Sequence, residues 1–206
     1  WSPSEEIGDQ PGTIAPMVLG IRSTTPLEKR LGHRFHDAGL LQEALTHRSF
    51  AEGRESGRNY ERLEFLGDSV LGLVATEWLF EKYPELPEGK LAKLKGYLVS
   101  APVLGRHATR LGLGESLRMG AGEERSGGRT KLSLLADSAE AVIGAIYLDG
   151  GLKPAQKMIA ALLEAASADG SAPYGEAKTD LQELAQGQGW ELPVYKLVAE
   201  LGPDHR

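Results

Sequence analysis

Cysteine is absent from the 206 residues, which excludes a disulfide framework and thiolate metal ligands and fits a reducing cytoplasm. Long apolar runs are absent too. The nearest approach, residues 69–80, is interrupted by polar and acidic side chains, so nothing reads as a bilayer span. Residues 1–21 carry no Lys or Arg and no apolar core, which is unlike a signal peptide. With Pro3, Pro11, Gly12 and Pro16 and no periodicity, they read as a disordered extension. No internal repeat appears, and no alternating run precedes residue 190. Positive charge is not in excess: 29 acidic residues face 23 basic ones. Three acids and no bases fall in residues 1–21, and six and three in residues 171–206, leaving 20 of each in residues 22–170. A neutral body still permits an acidic pocket beside a basic rim, so net charge excludes no nucleic-acid partner. The 26 Gly and 11 Pro raise loop content short of low complexity.

The length suits one full domain with a small appendage, and what is present is helical. Thr25-Pro26-Leu27-Glu28 is a capping box with Pro at the first helical position. Asp37 can cap a segment in which Leu40, Leu41, Ala44 and Leu45 repeat at helical spacing. A polar break over residues 51–59 precedes a long helix from about Tyr60 to Tyr83, stopped before Pro84. Further helices are expected over Glu88–Val99, over Pro102–Leu111 capped by Ser100, and over Leu132–Leu148 and Lys153–Ala166, with a Gly-rich loop at residues 120–129. Residues 168–175 have linker composition. Beyond them Lys178 to Gln188 reads as a helix capped by Thr179, and Leu192 to Leu201 as the first credible strand. One helix and one strand cannot bury a core alone.

The chemistry concentrates in Glu61-Arg62-Leu63-Glu64-Phe65-Leu66-Gly67-Asp68-Ser69. At ~100° per residue, Glu61, Glu64 and Asp68 share a ~60° stripe. Leu63, Leu66, Val70, Leu73 and Val74 fall on the opposite face, expected to meet the core. The acidic stripe continues into Gly72 and Ala75, small enough for a second helix to come close. Asp137 and Glu140, three apart beside Ala141 and Gly144, suggest that partner helix. Four carboxylates facing one another would raise each other's pKa, and a hard divalent cation removes that penalty. Oxygen ligands without Cys favour Mg²⁺ or Mn²⁺ over Zn²⁺. Such an ion activates water and offsets phosphoryl charge, which suits phosphodiester hydrolysis. The alternative is an ordinary solvated acidic stripe with Arg62 and Lys131 nearby, and two such helices bearing small residues weaken it.

Glu61 to Ser69 resembles, without a gap, the nine-residue signature of the ribonuclease III family, metal-dependent endonucleases that cut double-stranded RNA. Residues 135–151, Ala44 to Ser49 and Leu86 to Leu91 resemble three further family segments in the same order. The resemblance covers about residues 25–206. It implies an all-α endonuclease helical domain over residues 22–167, an N-terminal extension over 1–21 and a linker over 168–175. Residues 176–206 would be the start of an α/β double-stranded RNA-binding domain. It implies Glu64, Asp68, Asp137 and Glu140 as metal ligands, with Asp68 and Glu140 catalytic and Mg²⁺, replaceable by Mn²⁺, as cofactor. Glu61 and Glu88 would be accessory acids, Glu88 reaching toward the other subunit of a homodimer. The implied products carry 5′-phosphate and 3′-hydroxyl ends with two-nucleotide 3′ overhangs, and the implied role is processing of ribosomal RNA precursors and other structured RNAs in the cytoplasm.

Lys178 to Gln186 and Gly202 to His205 resemble the first helix and first loop of a double-stranded RNA-binding domain. Thr179, Gln182, Glu183, Gln186 and His205 then fall at or near a minor groove. The sequence departs from the pattern by stopping at Arg206, before that domain's remaining strands and final helix. Where the family often has a small polar residue before the first acid, this chain has Tyr60.

Two rival classes remain at this point: a non-cleaving RNA-binding or scaffold protein of the same fold, and a metal-dependent hydrolase of small phosphate compounds. The full acid set speaks against the first and the tail against the second. His47, His33, His36 and His107 read as packing or helix-end histidines rather than catalytic ones. Lys90, Lys93 and Lys95, and Arg125, Arg129 and Lys131, are candidate phosphate-facing rims, evenly weighed against solvated surface. Trp78, Phe80 and Tyr83 read as core or dimer interface, because a duplex exposes no base faces for stacking.

Overall fold

The computed structural model describes residues 24–52 and 57–168. The described residues are helical throughout: α1 Pro26–Leu31, α2 Ala38–Ala44, α3 Arg48–Ala51, α4 Glu61–Lys82, α5 Glu88–Leu98, α6 Ala101–Arg110, α7 Leu113–Ser116, α8 Ala121–Arg125, α9 Leu132–Gly150 and α10 Leu152–Ala168. Their one β feature is an isolated parallel bridge between Thr46 and Arg118. The expected extension, linker remainder, tail helix and strand lie outside the described residues, and Ala168 closes α10 rather than opening a linker.

Local chemistry sets the helix starts. Thr25 Oγ1 accepts from the Glu28 amide at 3.2 Å while Glu28 Oε2 accepts from the Thr25 amide at 2.8 Å, completing the capping box. Asp37 Oδ1 accepts from the Gly39 amide at 2.8 Å at the head of α2. Ser100 makes no side-chain cap bond, so α6 relies on Pro102 in its first turn. The Gly-rich stretch is more ordered than its composition implies, folding into α8 and a 3₁₀ turn over Gly128–Thr130.

Helix α9 is the axis of the fold, with Ala136, Ala139, Ala141, Val142, Ile143, Ala145 and Ile146 all buried. It packs against α4, α6, α10 and α2. Its crossing with α4 is tight enough to require glycine on both sides. A side chain at Gly67 would run into the Glu140 carbonyl, and one at Gly144 into the Leu63 carbonyl. The close approach therefore falls at Gly67 and Gly144, not at Gly72, where an added Cβ would meet only Lys95 Nζ at 3.8 Å. Leu73 corrects another expectation. It is 59% exposed, because the core takes the face bearing Leu63, Val70 and Val74.

Candidate active site

The Gly67–Gly144 crossing brings the acidic faces of α4 and α9 together. Glu64, Asp137 and Glu140 are each half-buried and Asp68 is exposed. Burial pushes the Glu140 carboxyl up to about 7, and the neighbouring charges of Asp68, Glu64 and Asp137 push the same way. Glu64 is likewise raised by burial and then by Asp137, Glu61 and Asp68. Burial raises Asp137 too, opposed by the Tyr60 hydroxyl and by His47. The four carboxylates thus sit within each other's fields. Among the described residues no Lys or Arg forms an ion pair with any of them.

Such an all-oxygen, mutually repelling set fits a hard divalent cation. Among the described residues no three Asp, Glu or His side chains stand close enough to form a finished cage. Glu61 is at the exposed rim, 4.0 Å from Arg48 Nη1, and its amide bonds Asn59 Oδ1 at 2.9 Å. Glu88 is not part of this cluster. It opens α5 beside an apolar cavity of about 480 Å³ lined also by Thr76, Leu79, Phe80, Leu86 and Leu91. Thr179, Gln182, Glu183, Gln186 and His205 lie outside the described residues.

Around the acids stands a rigid polar frame. The His47 imidazole is buried and accepts at Nδ1 from the Ser49 amide at 3.2 Å, capping α3. Burial lowers its pKa, against the raising fields of Glu123, Glu61 and Asp137. The His47 ring lies 5.6 Å from that of Tyr60, whose hydroxyl donates to Asp137 Oδ2 at 3.5 Å. Burial first, then the nearby acids, raise the Tyr60 phenol further, so it remains a donor. The sequence marked Tyr60 only as a departure from pattern, because its contact lies 77 residues away.

Two proposed phosphate contacts are committed elsewhere. Arg129 Nη1 donates to the carbonyls of Gly114 at 2.9 Å and Leu117 at 2.8 Å, and its Nε pairs with Glu124 at 2.8 Å. Lys131 pairs with Glu123 at 2.9 Å. These bonds pin the α8 segment against α7, a spacing that composition cannot reveal. Of the other histidines, His107 is buried with Nδ1 unpartnered and its pKa lowered to about 4 by burial. His33 and His36 both bond Asp149.

Residues 37–166 match the Ribonuclease-III-like family. The chain is 47% identical over 182 residues to Ribonuclease 3 of Albidiferax ferrireducens, covering 87% of this chain and 78% of that one. It is 48% identical over 185 residues to Ribonuclease 3 of Pseudomonas fluorescens, covering 89% and 79%. The fold resembles the solved ribonuclease III nuclease domain from Campylobacter jejuni, with TM-score 0.64, 45% identity and coverage of 68% of this chain and 94% of that one. The gapless acidic signature, its all-α setting and these relatives together make the chain a member of the ribonuclease III family of endoribonucleases.

Proposed function

We propose that the chain hydrolyses double-stranded RNA as a Mg²⁺-dependent homodimer, and the observation that supports this best is the unpaired carboxylate cluster where α4 crosses α9. Glu64, Asp68, Asp137 and Glu140 would hold the cation. When bound, it supplies Lewis-acid activation of water and offsets charge on the phosphoryl and leaving oxygens. The side chains have separate tasks. Burial between two helices keeps Glu140 and Asp137 short of water, which makes them strong oxygen donors to a cation. Exposed Asp68 and Glu61 face the side from which a phosphate backbone approaches.

The homodimer is supported by the outer face of α4. Phe65, Leu73 and Phe80 are 80%, 59% and 73% exposed. At ~100° per residue they share a ~80° arc bordering the acids. Three large apolar side chains in water on one stripe mark an interface, and the cavity beside Glu88 offers the apolar volume to receive one. A second copy docked isologously would set two acid clusters side by side, one for each strand. This supports products with 5′-phosphate, 3′-hydroxyl and two-nucleotide 3′ overhangs. Residues 1–21 are an extension, the endonuclease domain runs from residue 22 to the end of α10 at Ala168, and a linker follows up to residue 175. Residues 176–206 start a double-stranded RNA-binding domain, with Thr179, Gln182, Glu183, Gln186 and His205 toward the minor groove. Ribosomal RNA precursors and other structured RNAs in the cytoplasm are the corresponding substrates.

A uniform RNA duplex incubated with and without Mg²⁺ tests the reading. Cutting only with Mg²⁺, by a particle of roughly twice 22.2 kDa, is expected. Retention of duplex without cutting favours the scaffold alternative, and Phe65→Arg should yield a monomer.

A further inference from the structure

Tyr60 lies outside the acid set, yet it is anchored to both halves of it. Its amide donates to the Thr46 carbonyl at 2.9 Å, and its carbonyl accepts from the Glu64 amide at 2.8 Å. The side chain is 4% exposed and packed on His47. From this fixed position its hydroxyl reaches across to α9, and among the described residues it is the one side chain that hydrogen-bonds the Asp137 carboxylate.

We propose that Tyr60 is a positioning residue for cation binding: its hydroxyl holds Asp137 Oδ2 and leaves Oδ1 as the ligand oxygen. The inference rests on the reading of Asp137 as a metal ligand. A carboxylate turns easily about its terminal torsion, so one donor on one oxygen selects an orientation. Ligand carboxylates are commonly fixed by such outer partners, whose loss costs 10–100-fold in metal affinity. At 3.5 Å the bond is long, which places the expected loss at the lower end. The same residue stands at the head of the helix that carries Glu64 and Asp68, its carbonyl accepting from the Glu64 amide, so its hydroxyl ties the α9 ligand to the α4 ligands.

Tyr60→Phe removes one oxygen and keeps the ring. The test is Mn²⁺ affinity of the RNA-free protein, read from the electron paramagnetic resonance signal of unbound Mn²⁺. Tyr60→Phe should weaken binding about tenfold while shifting Tm in EDTA by less than about 3 °C. On an Asp137→Asn background the same change should have no further effect. In duplex cleavage it should raise the Mg²⁺ concentration for half-maximal rate about tenfold and leave the rate at saturating Mg²⁺ near wild type. Unchanged Mn²⁺ affinity, or an equal loss on the Asp137→Asn background, overturns the proposal while leaving Asp137 a ligand. If neither Asp137→Asn nor Glu140→Gln affects Mn²⁺ binding, the cation reading itself fails and the proposal goes with it.

Discussion

Helix α9 carries one acid at its middle and another near its C-terminus, and the protein treats them in opposite ways. Asp149, near its C-terminus, has a side chain only 2% exposed. It accepts from the backbone amides of His36 and Asp37 at 3.0 and 2.8 Å and bonds His33 Nε2 at 2.8 Å. These donors outweigh burial and hold its carboxyl at about 2. Glu140, nine residues earlier, has no donor at all among the described residues and is pushed up to about 7. Both are acids shielded from water, yet one is saturated with donors and the other is left to repel its neighbours. Asp149 is a clasp joining the α1–α2 connection to α9. A fold able to satisfy Asp149 this fully has left Glu140 without a partner among the described residues, which supports its proposed place at a cation site.

Substitutions should separate the two. Glu140→Gln should cut duplex cleavage by about 10²–10³-fold or more, the scale of losing one charge-stabilising group. It should also raise Tm slightly in EDTA by relieving repulsion. Gly67→Ala should destabilise by about 3 kcal/mol in denaturant melts, since the Glu140 carbonyl occupies the space its Cβ needs. Asp149→Asn should cost about 2 kcal/mol while the cation affinity of the folded protein is unchanged. The pH dependence follows from the depressed carboxyl. An unfolded value near 3.8 against about 2 when folded gives stability that is complete above about pH 5 and lost between about pH 4 and 2. Acid melts of wild type and Asp149→Asn should therefore converge below about pH 2. Smallest, Mg²⁺ at ten times its Kd should raise the wild-type Tm by about 3 °C, and Glu140→Gln should abolish the rise.

The contrast also explains which features were legible in sequence. Periodicity placed every long helix within a few residues, because α4, α9 and α10 each bury one continuous apolar face. The acid positions were legible because i, i+3 and i+7 spacing survives folding unchanged. The Asp149 clasp was not, since its partners lie 112 to 116 residues away and histidines at positions 33 and 36 announce nothing by spacing. Leu73 misled for a related reason. A helical wheel assigns one apolar face, whereas α4 carries two, one for the core and one exposed. Arg129 looked like a phosphate contact because charge alone cannot reveal the carbonyls of Gly114 and Leu117 waiting for it.

Diffraction from crystals soaked in Mn²⁺, collected at the manganese edge, addresses the proposed shared cation directly. The expected result is an anomalous peak where α4 crosses α9, within ligand distance of oxygens from Glu64 or Asp68 on one helix and Asp137 or Glu140 on the other. A well-ordered cleft with no peak, or a peak bound by one helix alone, would contradict it.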